Sequence, residues 1–289
     1  MRYGFARRFV AGETLSEAIP PCVALARAGR RVSLNLLGEN VTTAEEAARS
    51  RDYYIEILHA LEASALDGNI SIKLTQLGLD LDRNLCARLA GEIAAAARAL
   101  GRTIEMDMEG SAYTDATLDI FVETQRRCHN VGLAIQSYLR RSERDLERLA
   151  PLSPKIRLVK GAYREPVGVA FQTKAEVDAN YRRLLDLLLV PARGADAFFT
   201  AIATHDPALA AYASEKIAER GIRKDAYEFE MLLGIRRDLQ EKVFADGHPL
   251  RVYVPFGTAW LPYFMRRLAE RPANIGFVLR SLFAERDRG

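Results

Sequence analysis

Residues 103–136 decide the fold: Thr103-Ile-Glu-Met-Asp-Met108, a helical segment over 115–127, then Val131-Gly-Leu-Ala-Ile-Gln136. The two outer runs are short and mostly apolar or β-branched, while the segment between them has apolar residues at helical spacing. That is a strand–helix–strand unit, and it recurs in both directions along the chain. β-rich runs fall at 32–37, 70–75, 103–108, 131–136, 156–160, 197–203, 227–231 and 250–254. Amphipathic helical segments separate them, among them 43–65, 83–100, 115–127 and 208–220. Thr42, Asp82, Thr114 and Asp206 stand where helix N-caps are expected, and Gly101, Gly194 and Gly221 where glycine ends a helix. A further helical stretch, 12–29, precedes the first strand. Eight strand–helix units in roughly 250 residues match a (β/α)8 barrel of the TIM type. The expectation is one α/β domain over 1–289 with a helical arm over 1–31. A doubly wound sheet would advertise a glycine-rich turn after its first strand, and Leu37-Gly38-Glu39-Asn40 has a single glycine.

The composition excludes several function classes. Of 289 residues, 49% are hydrophobic and 27% charged, which excludes a disordered or collagen-like chain. The net charge of +3 is small and its basic residues are spread along the chain, against the concentrated stripe of a nucleic-acid binder. The charge-free run 252–265 is interrupted by Pro255, Gly257 and Pro262, so it does not read as a membrane span, and no signal peptide is read at the start. Cys22, Cys86 and Cys128 are scattered and odd in number, pointing to reduced thiols in a cytosol. The 41 basic residues include only seven lysines, so each lysine position carries information.

Barrel strands are buried on both faces, and a charge inside one is costly unless paired. Lys73 and Lys160 nevertheless fall in or at the ends of strands two and five. The two-residue period places Glu105, Asp107 and Glu109 on one face of strand three, and Ser71, Lys73 and Thr75 on one face of strand two. Lys73 is therefore expected to pair with Asp107 or Glu105. Gln136 ends strand four, Arg157 and Lys160 bracket strand five, Thr204-His205 follows strand six, and Glu228 and Glu230 lie in strand seven. Polar ends on six of eight strands mark the carboxyl mouth as the functional end. No metal is expected: His205 is the one histidine at a strand end, and Lys73 competes for the carboxylates. Two chemistries stay open on these residues. Lys73 or Lys160 could form a Schiff base, as in an aldolase. Alternatively Arg157, Lys160 and Gly161 could approach a large anionic cofactor. In the last helix Arg266 and Arg267 read from spacing alone as a solvated face pairing with Glu270.

Taken together the motifs resemble the proline dehydrogenase family, the flavin-dependent barrels that oxidise L-proline. The matching runs are Ser71-Ile-Lys-Leu-Thr75, Met106-Asp-Met-Glu109, Ile135-Gln-Ser-Tyr138, Ile156-Arg-Leu-Val-Lys-Gly-Ala-Tyr163, Ala203-Thr-His205, Tyr227-Glu-Phe-Glu230, Arg251-Val-Tyr-Val-Pro-Phe-Gly257 and Arg266-Arg-Leu-Ala-Glu270. They come in the family's order over about residues 33–278. The resemblance implies FAD as cofactor, L-proline as substrate and 1-pyrroline-5-carboxylate as product. It also implies a membrane quinone as electron acceptor, a cytoplasmic protein touching the inner face of the membrane, and a separate pyrroline-5-carboxylate dehydrogenase. It implies that Arg266 and Arg267 clamp the substrate carboxylate, with Lys73, Tyr163, Tyr253 and Tyr263 around the substrate. Asp107 and Arg157 take the catalytic positions. Arg157 lies near flavin N5, and Met108, Gln136, Lys160, Gly161, Ala162, Thr204, His205 and Glu270 contact the cofactor. Two residues depart from the family pattern: Arg164 replaces a tryptophan found in one branch, and Asp206 a common asparagine. The helices preceding the barrel are expected to be reduced to one. A flavin-free barrel acting as a binding protein is the rival from another class; it predicts no bound chromophore.

Overall fold

Five helices begin on side-chain caps. Thr14, Thr43, Asp82, Thr173 and Asp206 each accept a backbone N–H of the first turn that has no partner within the helix. The structure, a computed structural model, describes residues 6–191 and 198–269, part of the last helix by its backbone alone. Eight parallel strands, β1 (Arg31–Leu36), β2 (Gly68–Ile72), β3 (Ile104–Met106), β4 (Val131–Gln136), β5 (Lys155–Val159), β6 (Phe199–Ala203), β7 (Tyr227–Leu232) and β8 (Leu250–Phe256), close in sequence order into a barrel. Helices α1 (Leu15–Arg27), α2 (Ala44–Ala63), α3 (Arg83–Ala99), α4 (Thr114–Cys128), α5 (Ser142–Leu149), α6 (Lys174–Leu188), α7 (Pro207–Arg220), α8 (Arg237–Ala245) and α9 (Trp260–Ala269) accompany it, α1 ahead of β1. The (β/α)8 barrel is the expected fold. Among the described residues no helix is long and apolar enough to cross a membrane.

Two caps differ from expectation. Thr43 caps α2, while Thr42 instead binds the Glu46 carboxylate through both its N–H and its hydroxyl. Thr114 is the first residue of α4, which continues a 3-10 turn over Ser111–Tyr113 and needs no side-chain cap. Gly194 lies outside the described residues.

The apolar and polar alternation of the strands is inverted relative to most barrels, whose interiors are filled with Val, Ile and Leu. Here the apolar residues, such as Val32, Leu34, Ile70, Ile72 and Ile104, belong to the core cluster shared with the helices. The interior holds ions. Lys155 Nζ lies 2.5 Å from Glu105, 2.6 Å from Glu228 and 3.2 Å from Glu230. Arg157 reaches Glu105 and Glu230 at 2.5 Å and Asp107 at 2.8 Å, and Arg251 reaches Glu228 at 2.7 Å. Small residues make the room. A methyl group on Gly132 would sit 3.1 Å from the Glu105 side chain, and Ala201 and Ala203 stand beside Glu228 and Glu230 in the register. Three glutamates within reach of one another could suggest a metal, but each is already matched by a cation.

This network ties stability to pH. Burial alone would raise the Glu105 carboxyl, yet Arg157 and Lys155 outweigh it and bring it from 4.5 to about 2. Glu228 is likewise lowered, with Arg251 and Lys155 overcoming burial. Both carboxylates therefore bind fewer protons folded than unfolded, so their contribution is complete above the ordinary carboxylate range and is lost as pH falls below it. Glu230 goes the other way: burial pushes it up to about 7, so below 4.5 it is protonated in both states and adds nothing to the acid limb. The melting temperature is expected to drop steeply between about pH 4.5 and pH 2, and Glu105→Gln to flatten that drop. An equally steep acid limb in the variant, read by thermal melting across pH, would show that Glu105 does not carry it.

Candidate active site

At the carboxyl ends of the strands lies a cavity of about 990 Å³. That is at the upper end for small-molecule sites, which run from roughly 300 to 1,000 Å³. Asp107, just past the end of β3, is the hub of its floor. Its Oδ2 accepts from Lys73 Nζ at 3.0 Å and from the Tyr253 hydroxyl at 2.9 Å, and its Oδ1 from Arg157 at 2.8 Å. Arg157 is held further by Ser71 Oγ at 2.9 Å, and its guanidinium stacks 5.3 Å from the Tyr253 ring centroid. Burial by itself would pull the Lys73 ammonium down, but the Asp107 carboxylate 3.0 Å away helps hold it well above its ordinary value. Burial and the Asp107 charge push the Tyr253 phenol well up, so it stays neutral. Tyr163, also raised by burial, and Tyr263 line the same cavity.

Seven of the residues expected to meet a cofactor are on the cavity lining. Met108, Gln136, Lys160, Gly161, Ala162, Thr204 and His205 all line the cavity. Gln136 Nε2 donates to the Met108 carbonyl at 3.0 Å, while its Oε1 is buried without a partner. Asn35 Oδ1, from the end of β1, is in the same state. His205 Nε2 accepts the Leu232 N–H at 2.9 Å, which fixes the ring and its tautomer. Lys160 is held between Asp178 at 2.5 Å and Asp206 at 3.0 Å, with Lys174 on the same two carboxylates. Gly161 has φ +114°, and a Cβ there would lie 2.3 Å from the Tyr138 ring. Gly161→Ala is expected to lower the melting temperature by a few degrees, because both the backbone and Tyr138 must shift. Thermal melting decides it, and an unchanged midpoint would show that the turn carries no strain on substitution.

A sequence profile described as Proline dehydrogenase matches residues 19–280. The chain belongs to the proline dehydrogenase family. It is 40% identical over 285 residues to the proline dehydrogenase of Deinococcus radiodurans, covering 97% of this chain and 90% of that one. Against proline dehydrogenase 1 of Bacillus subtilis (strain 168) the identity is 37% over 277 residues, covering 96% and 90%. A solved structure of proline utilization A from Bdellovibrio bacteriovorus, inactivated by N-propargylglycine, superposes with a TM-score of 0.84 at 25% identity. It matches 92% of this chain, which spans 32% of that longer one.

Within this proline dehydrogenase fold, the Schiff-base alternative loses its nucleophile. Lys73 is kept protonated and Lys160 is bound between two aspartates, whereas imine formation needs a free amine. Glu109, placed by alternation on the face of Asp107, binds the Thr75 N–H and hydroxyl at 3.1 and 2.6 Å. β3 ends at Met106, yet the facing order continues past it, Asp107 on Lys73 and Glu109 on Thr75. The side chains of Arg266 and Arg267, and all of Glu270, lie outside the described residues. Lys155 and Arg251 were not anticipated as interior charges, although Lys155 stands two residues before Arg157 and Arg251 two before Tyr253.

Proposed function

We propose that this protein oxidises L-proline to 1-pyrroline-5-carboxylate with FAD as its hydride acceptor. The observation that carries the reading is the convergence of Lys73, Arg157 and Tyr253 on Asp107 at the floor of the cavity. The residues present fit a flavin. Gln136 offers a buried acceptor without a partner, Gly161 turns at the cavity with no side chain to cover its backbone, and Arg157 supplies a fixed cation. When bound, FAD supplies the two-electron acceptor at N5. The protein's own groups do the rest. Arg266 and Arg267 clamp the substrate carboxylate, Tyr163, Tyr253 and Tyr263 shape the pocket around the ring, and Lys73 lies beside it, so the reacting carbon is aimed at the acceptor. Arg157 favours the electron-rich product of the transfer. Asp107 already has both oxygens engaged by three donors, so its role is to orient those groups, and the substrate amine loses its proton elsewhere. The electrons pass on to a membrane quinone at the inner face of the membrane, and a separate dehydrogenase consumes the product.

Arg266→Met is expected to raise KM for proline at least tenfold with FAD still bound, because a charge-assisted contact to the carboxylate is lost. Steady-state kinetics check it, and an unchanged KM would remove Arg266 from the clamp. The function itself is tested by absorption spectra before and after anaerobic addition of L-proline. A flavin band that bleaches supports it. A band indifferent to proline overturns the substrate, and a protein that takes up no FAD overturns the cofactor.

A further inference from the structure

Arg157 does not end at the cavity floor. Behind it the ion pairs continue without a break to the opposite end of the barrel. Its Nε donates to Glu230 and its Nη2 lies beside Glu105, each at 2.5 Å. Lys155 links Glu105, Glu230 and Glu228. Glu228 then meets Arg251 at 2.7 Å and Arg31 at 3.2 Å, and Arg31 meets the exposed Asp67 at 3.1 Å. Within the barrel Lys73, Lys155, Arg157 and Arg251 balance Glu105, Asp107, Glu228 and Glu230, four charges against four. In so buried a column an unmatched charge acts with little screening, so removing one changes the field at the floor.

We infer that Glu230 is a positioning residue that sets how much of the Arg157 charge reaches a bound flavin, an inference that rests on the flavin reading above. Two facts single it out. Glu230 is 3% exposed and lines the cavity, whereas Glu228, equally buried one turn of the period below, does not. Glu230 also fixes Arg157 through Nε, leaving Nη1 to Asp107 and Nη2 to Ser71, which sets the plane of the guanidinium. Its negative charge thus anchors the cation and offsets it at the same time. Neutralising Glu230 leaves the floor one charge more positive and favours the reduced, electron-rich flavin.

The test is the two-electron reduction potential of the FAD-loaded protein at pH 9, where Glu230 is ionised, by dye equilibration, in Glu230→Gln and Glu228→Gln. Both variants remove one buried carboxylate from the same network. Glu230→Gln is expected to favour the reduced form about tenfold, an upward shift of ~30 mV. Glu228→Gln is expected to change it less than about threefold. Should Glu230→Gln not fold, Glu230→Asp, which draws the carboxylate back from Nε, is expected to move the potential in the same direction by less. Equal shifts in both glutamine variants, or none in either, overturn the inference and leave the flavin reading intact. A wild-type protein that binds no FAD overturns both.

Discussion

Replacing Arg157 with methionine is expected to lower the melting temperature by on the order of 10 °C and to slow flavin reduction by proline roughly 10²–10³-fold. The thermal effect follows from the company Arg157 keeps. Glu105, Asp107 and Glu230 all lie within 2.8 Å of its nitrogens, and its side chain is 4% exposed. Removing one partner from a buried ion pair costs about 3–5 kcal/mol, because the remaining charge stays desolvated and alone. Lys155 absorbs part of that cost, since it already touches Glu105 and Glu230. The kinetic effect has a separate origin, the loss of a fixed cation at the floor where charge develops. Arg157→Lys separates the two. It restores the charge but cannot hold Glu230, Asp107 and Ser71 with one planar fork, so stability is expected to recover more than rate. Differential scanning calorimetry and anaerobic stopped-flow read the two effects independently. Wild-type melting together with a wild-type reduction rate would remove Arg157 from both roles.

The barrel was legible because its two periods alternate cleanly, and the mouth was legible because charges in buried strands demand a reason. What could not be read was depth along each strand. With strand five begun at residue 156, Lys155 fell outside it, although the structure makes it the first residue of β5 and the centre of the interior network. Arg251 was seen as part of a run of sequence and not as an ion, because its partner Glu228 lies on a different strand and no local pattern joins them. Glu109 was placed on the face of Asp107 with no partner assigned, and the structure gives it the Thr75 N–H and hydroxyl. The unpartnered amide oxygens of Asn35 and Gln136 are invisible to any spacing rule, since being unsatisfied is a property of the whole surroundings. Cap positions slipped by one where neighbouring threonines offer the same hydroxyl, as at Thr42 and Thr43.

Asp107→Asn distinguishes an orienting carboxylate from a base. The carboxylate accepts three hydrogen bonds, two from cations. Asparagine offers one oxygen, so its amide N–H₂ must face either Arg157 or the Lys73–Tyr253 pair, donor against donor. kcat/KM is expected to fall about 10²-fold or more, with the loss spread over binding and rate because Lys73, Arg157 and Tyr253 all lose their common anchor. The pH profile carries the distinction. A base at Asp107 would impose an acid limb on kcat/KM that disappears when the carboxyl is replaced. An orienting group leaves the limb where it was, since the proton lost belongs to the substrate amine, which must be neutral for its lone pair to support the departing hydride. The limb is therefore expected to survive in Asp107→Asn at a lower plateau. Its disappearance would make Asp107 the base. In either case Lys73 loses in Asp107→Asn the carboxylate that helps hold it protonated, so its own titration is expected to move down toward the alkaline side of the profile.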